Sequence, residues 1–232
     1  MTIREIFILG CQKIGEPLIE LGFKPLQKGQ LLRKTSEDKE FSFEIYFQSL
    51  HTNWSGGVSL IPHIRITSKT LKKWRQKKYN EGNEVDLIFQ TRLENLTPLK
   101  NKNYDWNISL NNQENVAEKL GGLIIKYAIP LFDIFENKKN AVDFMVNNGI
   151  KFNEHFDTKF IKLPIDFLCC YADKMTAQII FDNYINENKM FGHAKRVYDE
   201  LEASGQTYLE ANRFVTDSMF NLAYINNLKI KQ

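Results

Sequence analysis

The 232-residue chain is short of the residues that staple or break a backbone, with three cysteines, six prolines and twelve glycines. Cys11, Cys169 and Cys170 cannot all pair, and two of them are neighbours in an apolar stretch, so a disulfide scaffold is excluded and a reduced, cytoplasmic protein is expected. With so few Pro and Gly, most of the backbone belongs in regular elements. Long apolar runs are missing as well. The longest candidate, residues 121–135, is interrupted by Lys126, Pro130 and Asp133 and falls short of the roughly 20 residues that cross a bilayer, so no membrane association is expected. A net charge of +3 is too small to imply a polyanionic partner by itself. Catalytic signatures are also absent: there is no P-loop, dinucleotide glycine motif, HExxH, nucleophile elbow or CxxC. His51, His63, His155 and His193 are scattered and none is spaced with Cys, Asp or Glu as a metal ligand set. No catalytic residue, metal or cofactor is therefore assigned, and a binding protein is favoured over an enzyme assembled from distant residues.

What is present is a ring-rich apolar inventory, 43% hydrophobic with seventeen Phe, enough for a large core. Ile3, Ile6, Phe7, Gly10, Ile14, Leu18 and Leu21 recur at helical steps, predicting an amphipathic helix ended by Gly22 and kinked or restarted at Pro17. Phe41, Phe43, Ile45 and Phe47 then alternate with polar residues, as do Val58, Leu60, Ile64 and Ile66, so two strands with one buried face are predicted to pair as a hairpin across Asn53–Gly57. Pro62 places the second strand at an edge or a bulge. Ser68 caps a basic helix over 69–79, closed by Gly82, and Val85, Leu87 and Phe89 form a further strand. Residues 94–103 read as a loop, and Trp106, Ile108 and Leu110 as a short strand or extended entry to a helix.

From Gln113 the period is helical throughout. Stripes are carried by Val116, Leu120, Leu123, Ile124 and Tyr127, broken at Pro130; by Ala141, Val142 and Met145; and by Ile161, Ile165, Leu168, Cys169 and Ala172. Three more follow, through Ile179, Ile180, Tyr184 and Ile185, through Ala194, Val197, Tyr198 and Leu201, and through Tyr208, Ala211, Phe214, Val215 and Met219. The fold class is α+β: a small antiparallel sheet covered by helices, followed by an all-helical C-terminal half, with a sheet domain over 1–110 and a helical region over 111–232. Charge divides similarly, with 16 Lys and Arg against 11 Asp and Glu in residues 1–100, and 15 against 17 in residues 101–232.

Three segments resemble one bacterial family. Leu21-Gly22-Phe23-Lys24 followed by Leu32-Arg33-Lys34, then Phe43-Glu44-Ile45-Tyr46-Phe47-Gln48-Ser49, and finally Trp106 with Tyr127-Ala128-Ile129-Pro130-Leu131-Phe132 resemble, in that order, motifs of the domain of unknown function DUF4304. The resemblance covers residues 3–145 and departs at Ile61-Pro62-His63, where the family has a plain strand. It implies no activity. Members of that family are similar to small accessory or immunity-like proteins, which implies a protein partner.

Two constellations compete for function. Alternation sets Glu44, Tyr46 and Gln48 beside His63, Arg65 and Thr67 on one exposed sheet face, extended by Trp54 in the connecting loop. Tyr, Trp and Arg are common anchors of protein interfaces, so this face is the candidate surface for another protein or a small anion. The competing reading is a solvated face with ordinary cross-strand pairs such as Glu44 with Arg65. The alternative function lies on the basic helix, where Lys69, Lys72, Lys73 and Arg75 with Trp74 interleaved could meet nucleic acid, or could equally form a solvated face with Trp74 turned inward.

Overall fold

The fold is described by a computed structural model over residues 1–54, 56–79, 85–99, 105–156, 162–206, 213–214 and 216–230. The chain forms two compact units, one comprising Met1–Lys72, Val85–Asn137 and Phe152–Phe156, the other Lys73–Glu84, Lys138–Lys151 and Asp157–Gln232. Gly82, Ile161, Tyr208, Ala211 and Val215, invoked above, lie outside the described residues.

The first unit opens with helix α1 (Ile3–Ile19). The Thr2 hydroxyl accepts from Glu5 N–H at 3.2 Å while the Glu5 carboxylate accepts from Thr2 N–H at 2.7 Å, a capping box that fixes where the helix starts. Its end is equally defined: Phe23 N–H donates back to Leu18 O at 3.1 Å, with Gly22 at φ +88° supplying the left-handed turn. Pro17 does not restart the helix, which runs unbroken to Ile19. It sits in the last turn, where one forgone hydrogen bond costs little, and its ring lies where α1 meets Gly121 of α3 (Gln113–Leu123).

Six antiparallel strands follow: β1 (Lys24–Leu26), β2 (Leu31–Thr35), β3 (Ser42–Ser49), β4 (Ser59–Thr67), β5 (Leu87–Arg92) and β6 (Trp106–Asn107). Their order is β1-β2-β3-β4-β5, with β6 also on β4. Two strand expectations are corrected. Val85 is exposed outside β5, and the buried run there is Ile88, Phe89 and Thr91, shifted by a register irregularity between Ile66 and Thr67. The strand containing Pro62 is central rather than at an edge. Phe47 N–H donates to Gln30 O on the β2 side, so Phe47 and Pro62 form a pair without hydrogen bonds between them. The missing N–H of Pro62 therefore points to the other side, between the stretch of β4 that pairs with β6 (Ser59, Leu60) and the stretch that pairs with β5 (from His63).

One sheet face carries Phe41, Phe43, Ile45, Phe47, Ile64 and Ile66, all buried. Phe132, from α4 (Ile129–Ile134), stacks on Phe43 with centroids 4.9 Å apart and also meets Phe23 at 5.8 Å. α3 passes into α4 without the break expected at Pro130, because a π-helical turn over Ile124–Ala128 widens the ladder and leaves Pro130 at the start of α4, where no donor is needed. The expected loop over 94–103 begins with a buried 3₁₀ turn, Leu93–Leu96.

The second unit is helical: the later turns of α2 (Lys69–Tyr79), α5 (Lys138–Asn148), α6 (Ile165–Tyr171), α7 (Lys174–Glu187), α8 (Phe191–Ser204) and α9 (Asp217–Ile225). Its core includes Met145, Phe167, Leu168, Phe181, Val197, Leu201 and Phe220. Ile179 faces outward at 43% exposure, because the buried stripe of α7 runs through Ala177, Ile180, Phe181 and Tyr184. Phe214 is likewise exposed; the last buried stripe begins at Met219 within α9.

Candidate functional site

The second face of the sheet is polar, and register decides its content. Directly paired residues share a face, so one cross-strand row reads Lys24, Arg33, Glu44, Arg65 and Gln90 from β1 to β5, and its neighbour reads Leu26, Leu31, Tyr46, His63 and Arg92. Glu44, Tyr46, Gln48, His63, Arg65 and Thr67 are thus brought together as alternation implied. The face is more covered than expected, however: Glu44 and Thr67 are buried, and Tyr46, Gln48, His63 and Arg65 are half-buried.

Side-chain pairing differs from the expectation too. Glu44 does not hold Arg65; its Oε1 accepts from Arg33 Nε at 2.9 Å and Nη2 at 2.7 Å. Arg33 can approach edge-on from β2, whereas the Arg65 guanidinium lies over the Tyr46 ring at 4.7 Å. The Tyr46 hydroxyl accepts from Gln30 Nε2 at 3.3 Å, and Gln30 Oε1 accepts from Arg4 Nη2 at 2.8 Å. His63 Nε2 donates to Gln48 Oε1 at 2.7 Å. Two polar atoms here, Arg65 Nε and His63 Nδ1, are removed from water and have no hydrogen-bond partner. Burial first, then the nearby Arg65 and Arg92 guanidinium groups, pull the His63 imidazole down to about 4, so the ring is neutral at pH 7 with Nδ1 as a lone-pair acceptor.

Trp54 is 63% exposed but packs against its own loop rather than the Tyr46–Arg65 pair. Trp54 and Gly57 exchange backbone hydrogen bonds of 3.1 and 3.0 Å, and the indole lies so close to the glycine backbone that a Cβ on Gly56 would fall 2.3 Å from ring carbons. Asn53 pins the same turn through Ser49 and both backbone groups of Ser59.

On the basic helix, the Ser68 hydroxyl caps the first turn by accepting from Leu71 N–H at 3.0 Å. Lys69 and Lys73 are exposed and Lys72 is half-buried. Arg75 is committed inward: its Nε donates to Asp166 Oδ2 at 2.9 Å, and the Tyr79 hydroxyl donates to Asp166 Oδ1 at 2.5 Å. Asn226 Nδ2 completes the group on the Tyr79 oxygen at 3.0 Å, and Trp74 meets Tyr79 edge-on at 6.0 Å. Burial and the Asp166 carboxylate push the Tyr79 phenol well above its usual range. Arg75 and Trp74 are thus occupied within the helical unit.

Two other carboxylates are buried among the described residues, Glu94 and Asp217. Glu94 takes Trp106 Nε1 at 3.4 Å, and desolvation raises its carboxyl. Asp217 accepts from His193 Nε2 at 2.6 Å, Arg196 Nη2 at 2.8 Å and the Arg213 and Phe214 amides. Burial would raise the Asp217 carboxyl, but these donors outweigh it and hold it below the ordinary value. Among the described residues no three His, Cys, Asp or Glu side chains converge as a metal site, and no helix is long and apolar enough to cross a membrane.

Lys24, Leu26, Leu31, Arg33, Gln90 and Arg92 are the members of these two rows that sequence reasoning missed. Their period-two spacing in β1, β2 and β5 was the available signal, but alternation within a strand does not say which neighbour it pairs with. The model of a domain of unknown function, DUF4304, matches residues 14–134, more than half of the chain. No curated protein and no solved structure matches it.

Proposed function

Because the chain belongs to the DUF4304 family, whose description assigns no activity, we propose a function from geometry: this is a binding protein that recognises another protein through the polar face of its sheet. The observation that carries the reading is the Tyr46, His63 and Arg65 cluster. Its rings and guanidinium are preorganised by neighbours, and it holds a buried donor and a buried acceptor that the chain itself leaves unpaired. An unsatisfied buried polar atom costs about 1–3 kcal/mol, a cost that a partner relieves by supplying the missing group. Tyr and Arg are also among the residues that most often carry the binding energy of protein interfaces. An accessory or immunity-type role, acting in the cytoplasm, is consistent with this reading and with the lack of a disulfide at Cys11, Cys169 and Cys170.

The test is a photo-crosslinking residue placed at Gln48 and at Gln90 on the face, and at exposed Lys195 on α8 as control, in native cells. A specific protein adduct at both face positions and not at Lys195 is expected. Adducts identical at all three positions, or none at the face, refute the reading.

A further inference from the structure

The rows across the sheet are unbalanced in charge. Within the two rows themselves Lys24, Arg33, Arg65 and Arg92, contributed by four different strands, stand with a single carboxylate, Glu44, whose side chain is only 10% exposed and is already held by Arg33; off the rows, the buried Glu94 carboxyl lies in the field of Arg92. The imidazole among them is neutral at pH 7 and adds no charge. Leu26, 37% exposed, flanks the cations beside Leu31. Building on the proposed protein-binding role, we infer that the partner presents an acidic segment to this face, with carboxylates set against Arg65 and Arg92 and an apolar side chain against Leu26.

A carboxylate takes an arginine best edge-on through Nε and an Nη, the geometry Arg33 already shows toward Glu44. Arg65, its guanidinium held over the Tyr46 ring, has the same edge without an acceptor on Nε. Arg65 and Arg92 stand diagonally on the neighbouring strands β4 and β5, about 7–8 Å apart at the usual spacing. Side chains two positions apart in an extended partner share a face at about 7 Å, so two acids at alternate positions fit this pair. A nucleic acid fits less well. One face of the Tyr46 ring is occupied by Arg65, the Trp54 indole rests on Gly56 and Gly57, and Glu44 lies amid the cations where phosphates would crowd.

The experiment is selection of a random peptide display library on the full chain, repeated on the R65Q, R92Q and Y46A variants after their melting temperatures confirm folding. Expected are peptides enriched in Asp and Glu, bound at least about tenfold more weakly by R65Q and R92Q, unchanged by K195Q, and weakened by added salt. Enriched peptides lacking acids but lost on Y46A overturn the acidic partner while leaving the face reading intact. Enrichment indifferent to all three face variants overturns both. Oligouridine or single-stranded DNA bound more tightly than any acidic peptide, and lost in R65Q, overturns the inference in favour of nucleic acid.

Discussion

Replacing Arg75 by methionine separates an anchored basic helix from one that displays its cations. Arg75 has a side chain 12% exposed, and it neutralises an Asp166 carboxylate whose side chain is 6% exposed. Methionine keeps most of the aliphatic stem and removes the charge, leaving Asp166 with the Tyr79 hydroxyl as its remaining side-chain donor shown on this helix. Stranding a buried charge in this way costs about 3–5 kcal/mol. The surviving short hydrogen bond from Tyr79 favours the lower end. For a chain of this size that corresponds to a fall in melting temperature of about 6–12 °C. Urea unfolding followed by far-ultraviolet circular dichroism, with an unchanged m-value, measures it directly. The double variant R75M/D166L removes both charges and is expected to recover at least about 1 kcal/mol of the loss, since an apolar pair can replace a buried ion pair. The reasoning fails if R75M lies within about 1 kcal/mol of the parent chain. If R75M also abolishes salt-dependent retention of RNA, Arg75 serves a ligand rather than Asp166.

Other outcomes follow from the same geometry. Gly10→Ala is expected to destabilise by about 1 kcal/mol: its Cβ would lie 2.7 Å from Ile108 Cδ1, and the overpacking outweighs the gain in helix propensity. Gly122→Ala, with nothing within 4 Å of its Cβ, is expected to stabilise by about 0.5–1 kcal/mol in the same urea assay. His63 is expected to titrate near 4 by NMR, against 6.5 for the unfolded chain. Its folded value is the lower one, so its contribution to stability is complete above about 6.5 and is lost as pH falls from 6.5 toward 4; H63Q should flatten that part of the stability profile. If the imidazole titrates near 6.5 in the folded chain, the burial of its ring, and with it the positive field beside it, is wrong. A double-mutant cycle on Phe43→Ala and Phe132→Ala should show a coupling of about 0.5–1.5 kcal/mol from their stacked rings, and strict additivity would show that the rings do not support one another.

The α+β class, the β3–β4 hairpin, the capped basic helix, the inward stripe of α8 and most of those of α1 and α7, where Ile3, Leu21 and Ile179 are exposed, were legible because each rests on a local rule, a period of two or 3.6 or a capping side chain. Pro17, Pro62 and Pro130 were misread for a common reason. A proline's cost depends on how many hydrogen bonds its missing N–H forgoes and on what its ring meets, and both are set by position along a helix, by neighbouring strands or by a π-turn.

The sequence by itself determined which side chains share a face: Glu44, Tyr46 and Gln48 on β3, His63 and Arg65 on β4. Only the tertiary structure decided what those side chains do. Register across four strands brought Arg33 and Arg92 to the rows, gave Glu44 to Arg33 and laid Arg65 over Tyr46. In the helical unit, likewise, only folding set Asp166 against Arg75, ninety-one positions apart. Alternation is a property of one strand's own geometry, whereas a pairing partner is chosen by packing between segments distant in the chain.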